Sequence, residues 1–146
     1  MKLVRVRPGM DWLFRKTLDA VGQFVDDLPG STISFAWYAQ ALIQMYAQAD
    51  PRLLLFGVLN DHEALVGHFL AVAEAHYGVP KLHIYQANAP PGPDSRAIVD
   101  EAFAAAIAFA KEQGCKSITM STRRSPQAMR RRFGFQPKFV LMEREL

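Results

Sequence analysis

The side chains of this chain that could carry chemistry gather in two places. All four histidines, His62, His68, His76 and His83, fall in one stretch, with Glu74 among them. Side chains on a strand repeat every second residue, so Glu74 would share a face with His68 and His76. An imidazole titrates at about 6.5 when unperturbed, which suits it to accept a proton from a nucleophile at neutral pH. No HxxxH or HExxH spacing accompanies these histidines, and the sequence gives no reason to expect a metal site. The second concentration is cationic: Arg123, Arg124, Arg130, Arg131, Arg132 and Lys138. It suits a phosphate or an acidic partner, and equally a solvated helix face. No aromatic residues interleave it to stack on bases, which argues against nucleic acid. Cys115 has no His or Asn signature beside it and reads as a small apolar side chain at a helix-to-strand junction.

The elements that must position these groups follow from the apolar pattern. Leu3, Val4 and Val6 alternate with Arg5 and Arg7 as an opening strand closed by Pro8-Gly9. A helix follows, with Asp11 as its candidate cap and Leu13, Thr17, Ala20, Val21 and Phe24 at helical spacing. After a loop at Leu28-Pro29-Gly30-Ser31, a second helix is expected from about Ser34 to Ala49. Asp50-Pro51 ends it. Leu53–Leu59, Leu65–His76 and Leu82–Ala87 then read as three strands joined by polar turns at 60–63 and 78–80, an antiparallel meander. The proline-rich segment Asn88–Asp94 leads into an alanine-rich helix starting at Asp94 or Ser95 and ending near Gln113, with Gly114 in the usual C-terminal place. That helix is apolar around most of its circumference, so burial on more than one side is expected. Lys116–Ser121 reads as a strand, Ser125–Arg132 as a basic helix, and Lys138–Arg144 as a closing strand.

The order β-α-α-β-β-β-α-β-α-β implies an α/β (α+β) fold with a mixed, mostly antiparallel sheet flanked by helices. The alanine-rich helix would be the crossover of a parallel strand pair. The chain of 146 residues is half apolar and 21% charged, which fits one globular domain spanning 1–146 and excludes a disordered or fibrous chain. Trp12, Trp37, Tyr38, Tyr46 and the methionines at 10, 45, 120 and 129 read as core. The longest apolar run, 64–79, is interrupted by His68, Glu74 and His76, so no membrane span is expected. The charged N-terminal residues and the lone cysteine lead us to expect a reducing, cytoplasmic setting. A net charge of +3 is too small to assign a partner.

Arg5-Val6-Arg7-Pro8 with Asp11, the strand opening Ala64-Leu65-Val66-Gly67, the helix end 109–118 and Gly134-Phe135 come in a telling order. Together, over nearly the whole chain, they resemble the GNAT superfamily of acetyl-coenzyme A-dependent N-acyltransferases. The resemblance implies acetyl transfer from acetyl-CoA to an amine of a small molecule or protein, by direct attack in a ternary complex. It places the pyrophosphate at Ser95, Arg96, Ala97 and Ile98, where free N–H groups and the positive helix end would face it. It places the thioester beside the strand His83-Ile84-Tyr85-Gln86-Ala87, with Gln86 and Ala87 as further binding positions, and the basic cluster as a candidate for the ribose phosphate. His83 or Glu74 would be the base, and Tyr85 a further catalytic candidate.

The sequence departs from the family pattern at informative points. Ala97 stands where glycine is usual, Val99 where the family has glycine or alanine, and Asp94 where it has a basic or neutral polar residue. Arg130 occupies the place of the tyrosine acid, and a guanidinium stays protonated throughout the working range. These departures raise an alternative: an inactive GNAT-fold binding or assembly protein, such as a phage-encoded or virion-associated component, acting in the host cytoplasm or the virion. Such domains often pair, so a homo-oligomer or larger assembly is a further expectation.

Overall fold

The computed structural model describes residues 1–26, 35–122, 125–138 and Arg144. Its elements are β1 (Lys2–Arg5), α1 (Asp11–Asp26), α2 (Phe35–Ala47), β2 (Leu53–Leu59), β3 (Leu65–His76), β4 (Val79–Asn88), α3 (Ser95–Glu112), β5 (Ser117–Met120) and α4 (Pro126–Phe133). The five strands form one sheet in the order β1-β2-β3-β4-β5. Every neighbouring pair is antiparallel except β4 and β5, which run parallel with α3 as their crossover. The expected loop at 28–31, the expected helix start at Ser34, most of the expected closing strand (139–143), and Arg123 and Arg124 lie outside the described residues.

Six of the seven residues of β2 are buried, because both faces of the sheet are covered. On one face Leu54, Phe56, Phe69, Leu82 and Ile84 meet Phe103, Ala106 and Phe109 of α3. On the other, Leu55, Leu59 and Leu70 meet Leu13, Phe14 and Val21 of α1, with Tyr38 and Leu42 of α2 beside them. Each such fully buried aliphatic side chain contributes about 1.5–3 kcal/mol.

Four details differ from the sequence reading. Asp11 is the first residue of α1 and not its cap; its carboxylate accepts the Tyr46 hydroxyl at 2.7 Å, joining α1 to α2. The reversal between β3 and β4 is made by Tyr77 and Gly78, both at positive φ (52° and 76°), with His76 opposite Val79. That is the two-residue hairpin whose twist matches paired strands, so Val79 and Pro80 belong to β4 and not to the turn. In α3 only one stripe is buried, from Ile98 through Ala102, Phe103 and Ala106 to Phe109 and Ala110, while Ile107 is 47% exposed. Ala97, Ala104 and Ala108 are exposed among charged residues, and side chains so small demand no partner on the outer side. Trp12 and Trp37 are about half exposed, at 50% and 58%, and so are not core residues.

One glycine of the sheet is required by close approach: a Cβ on Gly67 would stand 2.5 Å from the Asn88 carbonyl oxygen, which is backbone and cannot turn aside. It lets the end of β4 pass close to β3 on its way to α3.

Candidate functional site

The site is built where β4 changes neighbours. In the β3–β4 ladder Leu70 faces Gln86 and Ala71 faces Ile84, which leaves Tyr85 as an extra residue in a β-bulge. The bulge rotates the strand so that both Tyr85 and Gln86 turn to the face that carries α1 and α2: Tyr85 packs against that core, and Gln86 reaches the Val21 carbonyl at 3.5 Å. On the other edge of β4, pairing with β5 runs from Lys81↔Ser117 to Ile84↔Met120 and stops. The residues of β4 from Tyr85 to Asn88 have no ladder partner on that side among the described residues, so the two strands part at the bulge.

Around this point Glu74, His76, His83 and Tyr85 meet on the α1–α2 face, with Thr119 and Tyr38 in contact with them. The Tyr85 hydroxyl donates to Glu74 Oε1 at 2.6 Å. His76 Nε2 lies 3.2 Å from the same oxygen. His83 Nδ1 lies 2.9 Å from Thr119 Oγ1 of β5, and its ring is 5.5 Å from that of His76 and 4.6 Å, edge-on, from that of Tyr85. Tyr38 of α2 closes the group edge-on to Tyr85 at 5.7 Å. One ligand-capable atom each from Glu74, His76 and His83 lies within 4.8 Å of the others.

Burial sets the proton affinities here. It lowers the pKa of His83, more than the nearby Glu74 charge raises it, so the imidazole is neutral at pH 7. Burial, then the hydrogen bond to Glu74, push the Tyr85 hydroxyl well above the usual phenol range. Tyr85 therefore keeps its proton and spends it on Glu74. Three sequence-derived candidates, His83, Glu74 and Tyr85, are thus neighbours in space.

The phosphate-side candidates stand at the other end of β4. The Ser95 N–H returns to the Gly92 carbonyl at 3.3 Å, and the Ile98 N–H reaches Asp94 at 3.3 Å. Between them the N–H groups of Arg96 and Ala97 have no acceptor among the described residues, and they open the positive end of α3 to solvent. Asp94 adopts helical φ and ψ and makes no side-chain cap bond. Ile98 is buried and faces a narrow cavity of about 20 Å³, lined also by Ala87, Phe69 and Phe103. That is room for about one water. The Gln86 side chain is committed elsewhere: its Oε1 accepts from His68 Nε2 at 2.7 Å, inside the core.

The cationic cluster is divided. Arg130, Arg131 and Lys138 are exposed. Arg132 instead ties α4 to α3, donating to Asp100 Oδ1 at 3.0 Å and to the Arg96 carbonyl at 3.3 Å while stacking over Phe133. Cys115 is half-buried and its thiol pKa is raised by burial, which leaves it protonated.

His76, Thr119 and Tyr38 belong to the site but not to the sequence-derived set. His76 was legible as a same-face neighbour of Glu74. Thr119 and Tyr38 come from β5 and α2, and no local spacing could pair them with β4.

No family model matches the sequence, and no curated protein matches it. Solved structures do. An acetyltransferase from Trypanosoma brucei superposes with a TM-score of 0.67 at 13% identity, covering 99% of both chains. Glucosamine-6-phosphate N-acetyltransferase from Arabidopsis thaliana gives 0.67 at 8% identity, again covering 99% of both. A transcriptional regulator from Bacillus halodurans gives 0.65 at 17% identity over 99% of this chain and 100% of its own. At such identities what is shared is the fold, and it is the fold that the sequence resemblance implied.

Proposed function

On the GNAT fold that this chain adopts, we propose that it transfers an acetyl group from acetyl-CoA to an amine of a small molecule or a protein. The observation that carries this reading is the parting of β4 from β5 at the Tyr85 bulge, with a neutral His83 beside it and open helix amides beyond it.

Backbone chemistry fits the donor. The N–H groups of Arg96 and Ala97 would hold the pyrophosphate, and neither needs a glycine to be exposed; both residues lie on the solvent side. The backbone of Tyr85 to Ala87, without a ladder partner on the β5 side among the described residues, would receive the thioester arm. Acetyl-CoA supplies an activated acyl group with a good leaving thiolate.

The protein's own contribution is proton placement. With Nδ1–H donated to Thr119 Oγ1, His83 presents the lone pair of Nε2 and takes a proton from the substrate ammonium, leaving a neutral nucleophile. Glu74, held by Tyr85 and His76, stabilises the imidazolium so formed and can also receive the proton. Tyr85, which keeps its proton, donates it in the hydrogen bond that orients Glu74. The acceptor amine would approach from the α1–α2 side, past Tyr38.

Thermal unfolding with acetyl-CoA tests the reading. A ligand at about a hundred times its dissociation constant stabilises the fold by about 2.7 kcal/mol, which is several degrees in Tm. With binding established, His83→Ala and Glu74→Gln should each lower turnover on an amine panel by about 10²–10⁴-fold. Full activity in both variants would remove the base assignment. A second reading, a binding or assembly protein without catalysis, is favoured by the uncapped Asp94 carboxylate at the mouth of α3, which repels phosphate. No Tm shift at millimolar acetyl-CoA would overturn the first reading.

A further inference from the structure

We propose that Glu74, His76 and His83 form a binding site for a divalent transition-metal ion of the zinc type. Two imidazole nitrogens and one carboxylate oxygen are a donor set that zinc accepts with one position left open for water or a ligand. Their candidate ligand atoms already lie within 4.8 Å of one another. Zinc at its usual distances of about 2.0–2.2 Å from N and O would draw them in by less than about 1 Å each.

The surroundings orient the donors as a metal site requires. His83 turns Nδ1 to Thr119 Oγ1, which fixes the ring and leaves Nε2 without a hydrogen-bond partner among the described residues. The Tyr85 hydroxyl holds Oε1 of Glu74 and leaves Oε2 available. His76, with its side chain 37% exposed, gives an ion a path from solvent. The spacing that sequence motifs look for is helical; here the strand register does the same work. Glu74 and His76 share a face two residues apart, and His83 stands diagonally across the ladder, with Glu74 opposite Lys81 and Val72 opposite His83.

The metal and the proton of the transfer reaction would compete for one lone pair, that of His83 Nε2. Zinc should therefore inhibit acetyl transfer, yet its binding is read without any turnover, so either proposal can fail while the other stands.

The test is cobalt titration of the full chain, free of any affinity tag, at neutral pH. We expect one equivalent to bind with the strong visible absorption of four- or five-coordinate Co²⁺, and stoichiometric zinc to abolish it. His76→Ala, His83→Ala and Glu74→Gln should each weaken binding tenfold or more, and Tyr85→Phe about tenfold through the loss of Glu74 orientation. His62→Ala, whose imidazole lies in the exposed β2–β3 turn, should bind as the parent does. Glu74→Gln preserves shape, so it decides the matter even where a histidine variant folds poorly. Absence of the absorption, or unchanged affinity in Glu74→Gln and His76→Ala, would overturn the proposal.

Discussion

At the scale of single residues, His68 shows how a histidine can be spent on structure. It is 1% exposed, gives its Nε2–H to Gln86, packs edge-on to Phe24 at 5.8 Å, and leaves Nδ1 without a partner among the described residues. Burial lowers its pKa, outweighing the Gln86 contact, so the folded protein holds it neutral. The unfolded chain protonates near the ordinary value of about 6.5. The stability it contributes is therefore complete above that pH and is lost as pH falls toward the folded value. His68→Gln should flatten the fall in stability between neutral and mildly acidic pH, measured by denaturant titration. Identical slopes in parent and variant would refute this account. The four histidines, gathered in one stretch of sequence and alike in chemistry, thus divide by environment: one exposed in a turn, one buried in the core, two at the polar cluster.

At the scale of elements, the exit of β4 decides where the candidate site opens. The Asn88 carbonyl passes so close to Gly67 that no side chain fits between them. The obstacle is backbone, which cannot rotate away as a flexible side chain would. Gly67→Ala should cost about 1–3 kcal/mol, as overpacking does. It should also displace the segment leading to α3, weakening acetyl-CoA binding together with stability. A variant as stable as the parent would show that the β4 exit adjusts freely. The bulge at Tyr85 acts at the same level. It places two successive side chains on one face, and the sheet loses its fifth-strand pairing immediately beyond it.

At the scale of the whole molecule, the two helical layers have different tasks. The α3 layer carries the larger aromatic core, with Phe103 stacked on Phe133 at 4.1 Å and edge-on to Phe69 at 6.0 Å, and this fixes the helix whose start offers open amides. The α1–α2 layer meets the polar cluster through Tyr38. A donor held on one side and an acceptor admitted on the other would meet at β4. Hydrogen exchange measures this directly: the Arg96 and Ala97 amides should exchange rapidly in the free protein and become protected with acetyl-CoA. Protection that spares these two amides would place the ligand elsewhere.

The elements from β2 to α4 were legible in the sequence because their apolar periodicity and turn residues are local signals; Leu53–Leu59 and Leu65–His76 have the expected bounds. The same locality made Glu74, His83 and Tyr85 visible as candidates one by one. What the sequence could not supply was their relation. Whether Tyr85 donates its proton or keeps it depends on burial and on Glu74, a strand away. Whether His83 has a free nitrogen depends on Thr119 across a parallel ladder. Those facts follow from register, and register is fixed only when the sheet closes between its two helical layers. One residue of slip would send every one of these side chains to the opposite face.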